Sequence, residues 1–118
     1  MIAPALLPRG FESLEPFVEE WVLPDAAARM AKRQSSDISK VVLFYDAMLA
    51  LGESALGHLR GFSLGDMPAA EERLLKLMLS LAEVAPAVEW YKNVRVYDGF
   101  PIERVRYLRQ ISDTTAQC

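Results

Sequence analysis

The apolar residues between Ile38 and Leu59 recur every three or four positions, and no proline interrupts them. This spacing predicts an amphipathic helix of about six turns, capped by one of residues 35–37, with a narrow polar side at Asp46 and Glu53. Such a helix is expected to pack on more than one neighbour, which restricts the chain to a helical bundle. Its predicted apolar face consists of Ile38, Val41, Val42, Tyr45, Met48, Leu49, Gly52, Ala55, Leu56 and Leu59.

Prolines and capping residues delimit the neighbouring helices. Residues 13–23 have apolar side chains at helical spacing, which predicts an amphipathic helix with Pro16 in its first turn and Pro24 after its end. Asp25 is the predicted N-cap of a short alanine-rich helix that follows. Gly61 is predicted to end the central helix.

A fourth helix is predicted after the glycine-containing loop, with Pro68 at an early position. Pro86 interrupts its apolar pattern, because a proline inside a helix removes one backbone hydrogen bond and its ring clashes with the preceding turn. Two outcomes are open at this stage. The helix either continues with a kink to about Lys92, or a new helical segment begins at Pro86.

The helical period is lost after Asn93, where two valines alternate ahead of the turn signal Asp98-Gly99. We interpret residues 93–118 as an arm that is extended or partly helical. The predicted fold is all-α, an antiparallel bundle of about four helices in a single domain of residues 1–118, with the core at about 11–92.

Composition narrows the class of protein further. An apolar fraction of 52% with 25% charged residues is typical of a globular domain. We expect neither a secretory leader nor a membrane span, because no apolar run approaches about 20 residues. The single cysteine, Cys118, fits a reducing cytoplasm, which is the predicted location.

The only histidine, His58, is the first candidate for chemistry. We predict no metal and no cofactor, because a metal site needs several ligands and the chain has no second histidine. Ser54 lies one turn before His58, a spacing that permits an activated nucleophile, but no orienting carboxylate stands at helical spacing. The sequence therefore favours a partly buried histidine near a helix end over a catalytic one.

Aromatic and small residues offer a second candidate, a pocket between helices. Trp21, Phe44, Tyr45 and His58 are the predicted ligand-binding residues, although such side chains more often form plain core. Gly52 lies inside the apolar face and is expected to let a neighbouring helix approach closely.

The predicted arm is the candidate interface. Its apolar residues follow no period that one core face could bury, and its basic residues complement the acidic segment at residues 12–20. We therefore expect a protein partner, most simply a second copy in a homodimer. Nucleic acid is not expected, because the net charge is −3. The predicted interface residues are Phe100, Ile102, Arg104, Arg106 and Tyr107.

The segments FYDAM, LSLAEVAPAVEWY and DGF resemble those of small bacterial all-α proteins of uncharacterised function, over residues 11–100. The resemblance implies a compact helical domain with a helix break at Pro86, and it implies no activity. From the residues we predict a non-catalytic interaction protein, an accessory or regulatory subunit. The alternative is a hydrophobic-ligand binder or enzyme that uses a pocket around Phe44, Tyr45 and His58.

Overall fold

The computed structural model describes residues 5–96, and all regular structure within that range is helical. The predicted all-α class is therefore confirmed. Two 3-10 helices, Glu12–Phe17 and Leu64–Asp66, accompany the α-helices of this range. In chain order the α-helices are α1 (Val18–Trp21), α2 (Ala26–Ser35), α3 (Ile38–Leu59) and α4 (Ala69–Val96).

The chain divides into two units, residues 1–88 and residues 89–118. The first unit holds the bundle and its core. Within the second, the described residues are 89–96, which form the last turns of α4.

The first predicted helix differs from the observed structure. The sequence predicts one α-helix over residues 13–23, whereas a 3-10 helix leads into the single turn of α1. Pro16 explains the difference, because it lies inside this segment and has no N–H for an i−4 bond. The tighter geometry persists to Val18, whose N–H donates to the carbonyl of Glu15, three residues back.

The N-terminal segment is held by backbone N–H groups that donate to two glutamates. The N–H of Leu7 donates to Glu15 Oε2 at 2.8 Å. The N–H of Gly10, a residue with φ of +102°, donates to the Glu12 carboxylate at 3.0 and 3.1 Å. The hydrogen bond from Gly10 is the main reason that the pKa of Glu12 lies below its usual value. A second hydrogen bond, from the N–H of Glu12 itself, lowers that pKa further. The interaction is therefore present at neutral pH and is lost when acid protonates the carboxylate.

Asp25 caps α2 as predicted, since its Oδ1 accepts the N–H of Ala28 at 2.8 Å. The prediction that a side chain of residues 35–37 caps α3 is wrong. Ser36 Oγ instead donates to the carbonyl of Lys32 at 2.6 Å and so stabilises the end of α2. Asp37 occupies the N-cap position of α3 without a side-chain capping bond.

α4 is continuous through Pro86, which decides between the two predicted outcomes in favour of one helix. It ends at Val96 rather than near Lys92, so the predicted loss of helix after Asn93 is wrong for residues 94–96. Val84 and Val88 are fully buried on either side of Pro86, which lies on the exposed side. The buried face of α4 is thus continuous on the side of the helix opposite Pro86.

The core of the first unit joins the N-terminal segment, α3 and α4. Trp21 stacks on Phe44 with ring centroids 4.5 Å apart and planes 9° apart, and Phe17 meets the same ring edge-on at 5.6 Å. The carbonyl of Trp21 accepts a hydrogen bond from Ser80 Oγ in α4 at 2.7 Å. Trp21 therefore contacts both long helices. The buried apolar residues are Leu7, Phe11, Leu14, Val18, Trp21, Val41, Phe44, Tyr45, Met48, Ala55, Leu59, Leu74, Leu77, Val84 and Val88.

α3 and the first half of α4 run antiparallel, as predicted. His58 in the last turn of α3 contacts Glu71 in the first turn of α4. Farther from the connecting loop, Phe44 and Ser80 meet the same residue, Trp21. α2 contributes no buried residue and is joined to α4 by Arg33 Nε, 2.8 Å from Glu83 Oε2.

Candidate functional site

The structure brings together three of the four predicted ligand-binding residues and separates the fourth. Trp21, Phe44 and Tyr45 lie in the core at 2%, 0% and 6% exposure. His58 lies 14 residues farther along α3, which is about 21 Å at 1.5 Å per residue. A single pocket around Phe44, Tyr45 and His58 would have to span that distance.

The aromatic cluster itself occupies the space that a ligand would need. The stacked rings of Trp21 and Phe44 are in direct contact, and Phe17 covers the ring edge of Phe44. A ligand could enter only if these side chains moved apart, which would expose apolar surface to water. A shallow surface depression is found in the second unit, lined by Glu89, Trp90, Lys92 and Asn93.

His58 forms a pair with a carboxylate that sequence spacing did not identify. Its Nε2 lies 2.8 Å from Glu71 Oε2, and the side chains are 35% and 12% exposed. The imidazole also contacts Phe11 and Phe62, with ring centroids at 5.7 and 5.3 Å. The available signal was the α3–α4 connection at residues 60–68, because antiparallel neighbours place the last turn of one helix beside the first turn of the next.

The His58–Glu71 pair suits the helix ends on which it lies. His58 is in the last turn of α3, where partial negative charge accumulates, and Glu71 is in the first turn of α4, where partial positive charge accumulates. Oriented by a carboxylate, His58 could also act as a base. However, within residues 5–96 no hydrogen bond joins His58 to Ser54, which is exposed. Ser54 and His58 are therefore not paired as nucleophile and base in the described structure.

Replacement of His58 by leucine is expected to destabilise the protein by about 1 kcal/mol, because the carboxylate of Glu71 would lose its partner while remaining mostly buried. His58→Gln is the matched control, since its amide N–H can still donate to Glu71. Urea denaturation of both variants measures the difference. Equal stability of the two variants would show that the hydrogen bond contributes nothing.

An apolar stripe on the outer side of α3 is the second candidate site. We define the α3 stripe as Ile38, Val42, Tyr45, Leu49, Gly52 and Leu56, which share one side of the helix. Tyr45 is buried in the core at 6% exposure, and Val42 and Gly52 are half-buried. Ile38, Leu49 and Leu56 are 38%, 56% and 49% exposed.

These exposures correct the predicted core face of α3. Ile38, Leu49 and Leu56 were expected inside, whereas the observed core side is centred on Phe44, Met48 and Ala55. The apolar arc of α3 is wider than the surface that its neighbours in the described range cover. The narrow polar side of α3 already indicated in the sequence that its apolar arc is unusually wide.

Gly52 lies in the middle of the α3 stripe and makes no close contact. Apart from its chain neighbours and the adjacent backbone of α3, a Cβ atom on Gly52 would meet no atom of the described residues within 4 Å, and the same holds for Gly57. The prediction that a neighbouring helix of the same chain packs closely on Gly52 is therefore wrong within residues 5–96. Gly52 leaves a notch between the side chains of Leu49 and Leu56.

Two absences apply to the described part of the chain. No group of three or more His, Cys, Asp or Glu side chains in residues 5–96 could hold a metal ion. Within the same range, no helix combines the length and apolar character that crossing a membrane requires. The predicted interface residues Phe100, Ile102, Arg104, Arg106 and Tyr107 lie outside the described residues.

No protein-family model, curated protein or solved structure matches this chain. The resemblance to small bacterial helical proteins therefore stays an expectation, and the helix break at Pro86 that it implies is wrong, because α4 continues through that residue. The geometry of the bundle alone supports the functional proposal.

Proposed function

We propose that this chain is a non-catalytic interaction protein, an accessory or regulatory subunit that binds another protein through the α3 stripe. The observation that carries the proposal is the exposure of Leu49 and Leu56, seven residues apart on the same side of a long helix. Aligned exposed apolar side chains, unlike scattered ones, are typical of interaction surfaces. An amphipathic helix of a partner could lie along such a stripe.

The energetics of the α3 stripe favour burial against a partner. Full burial of a leucine side chain contributes about 1.5 to 3 kcal/mol, and roughly half of Leu49 and of Leu56 is still in contact with water. Covering both would thus contribute about 2 kcal/mol, and Ile38 would add to it. These residues would be the apolar anchors of a small interface.

The alternative, a ligand-binding protein or enzyme, has weaker support. The imidazole of His58 is paired with Glu71 between two helix ends, an arrangement that stabilises the hairpin without a substrate. The predicted pocket residues Trp21 and Phe44 are packed on each other. An interaction surface requires no rearrangement of either group.

The nature of the partner follows from charge and composition. A net charge of −3 gives no general attraction to nucleic acid, so the proposed partner is a protein. The proposed location is the cytoplasm, where a chain with one cysteine needs no disulfide.

Photo-crosslinking in cells that produce the protein tests the interaction. A photoreactive phenylalanine analogue at Leu49 is expected to give a discrete protein adduct of defined mass. The same analogue at Leu43, which is 65% exposed on a different side of α3, is the matched control and should give none. The proposal fails if Leu49 gives no adduct, or if both positions give the same adducts.

A further inference from the structure

We infer that the partner on the α3 stripe is a second copy of this chain, with the two α3 helices packed antiparallel about a two-fold axis. The inference rests on the proposed function of the same stripe and adds the identity and the direction of the partner. It concerns the described helix α3 and not the predicted C-terminal arm.

The spacing of the α3 stripe is that of a helix–helix seam. Its residues follow one another at intervals of four, three, four, three and four, which is the heptad pattern of a coiled coil. A partner that matches this pattern over about 27 Å must itself be a helix with the same repeat. A second copy of α3 supplies that helix.

The shape of the α3 stripe fits a reversed copy of itself. In an antiparallel register centred on position 47, Val42 of one copy lies opposite Gly52 of the other, and the open space above Gly52 receives the valine side chain. In a parallel register each residue faces its equivalent, so the two notches at Gly52 would coincide and leave a cavity. The same antiparallel register pairs Ile38 with Leu56, and it places Leu49 opposite the position of Tyr45, which is itself 6% exposed.

The charges at the ends of α3 agree with the antiparallel direction. Asp37 precedes the first turn and Arg60 follows the last, and within residues 5–96 neither side chain forms an ion pair. Antiparallel packing brings Arg60 of one copy within about one turn of Asp37 of the other. It also sets the positive end of each helix dipole beside the negative end of the other.

The size of the seam sets the expected affinity. A contact about 27 Å long and one helix wide belongs to the small class of protein interfaces. Asp46 and Glu53 flank the seam and would meet like charges of the second copy, which weakens association further. We therefore expect a reversible dimer with a dissociation constant in the micromolar range.

Sedimentation equilibrium of the full chain tests self-association. Leu49→Lys is expected to raise the dissociation constant at least tenfold, whereas Leu43→Lys should leave it unchanged. Gly52→Leu, which fills the notch, is expected to weaken the dimer, and Gly57→Leu is its control, because Gly57 has the same open surroundings off the stripe. Circular dichroism melts confirm that each variant is folded.

Cysteine pairing tests the direction of packing, in a Cys118→Ser background. A mixture of Val42→Cys and Gly52→Cys chains is expected to form a mixed disulfide, whereas neither chain alone should crosslink. Crosslinking of Val42→Cys with itself would overturn the antiparallel arrangement. A wild-type chain that stays monomeric at about 500 µM, a concentration far above that expected for micromolar affinity, would overturn self-association.

The two proposals can fail separately. A monomeric chain that still gives an adduct of a different protein at Leu49 would refute the second copy and leave the interaction surface standing. A monomeric chain without any adduct at Leu49 would refute both.

Discussion

Replacement of Trp21 by alanine is expected to lower the free energy of unfolding by about 3 to 5 kcal/mol. Trp21 is 2% exposed, and its ring stacks on Phe44, whose own exposure is 0%. Truncation would remove the stacking contact and leave a cavity that two long helices cannot close without shifting. Lys32, whose Nζ lies 5.6 Å from the Trp21 ring centroid, would lose a cation–π contact as well.

The second tryptophan of the chain is a matched control for this loss. Trp90 is 40% exposed, so Trp90→Ala is expected to cost less than about 1.5 kcal/mol. Chemical denaturation followed by far-ultraviolet circular dichroism measures both variants without relying on tryptophan fluorescence. Comparable losses for the two variants would contradict the central position of Trp21 in the core.

Features of the fold that depend on neighbouring residues in the sequence were predictable. The capping bond of Asp25 and the length of α3 follow from local rules of helix initiation and hydrophobic spacing. The segment at residues 13–23 shows where such rules end. Leu14 and Val18 are buried, as their spacing predicts. The backbone that carries them is not the predicted single α-helix, however, but a 3-10 helix followed by one α-helical turn.

Features that depend on tertiary contacts were not predictable from spacing. The contact of Glu71 with His58 arises because the α3–α4 hairpin brings the two helix ends together. The exposed residues of α3 show another feature that spacing alone does not predict. Hydrophobicity at Leu49 and Leu56 indicates that they favour burial, but it does not distinguish a core face from an interface.

Ser80 is a fully buried polar residue of the core, and its replacement by alanine is expected to cost about 2 kcal/mol. Its Oγ donates to the carbonyl of Trp21 at 2.7 Å. That carbonyl belongs to the last residue of α1, where no following helical N–H can reach it, because Val22 is already extended. Ser80→Ala would leave this acceptor buried without its hydroxyl partner.

The control for Ser80→Ala is Ser54→Ala, a change of the same atoms at an exposed position of α3. Alanine is the better helix former, so Ser54→Ala is expected to be neutral or slightly stabilising, by less than about 0.5 kcal/mol. The same propensity gain acts at Ser80, and a net loss there must therefore come from the hydrogen bond. Urea denaturation of the two variants measures the contrast. If Ser80→Ala is as stable as Ser54→Ala, the carbonyl of Trp21 finds another donor, and the link between α1 and α4 does not depend on Ser80.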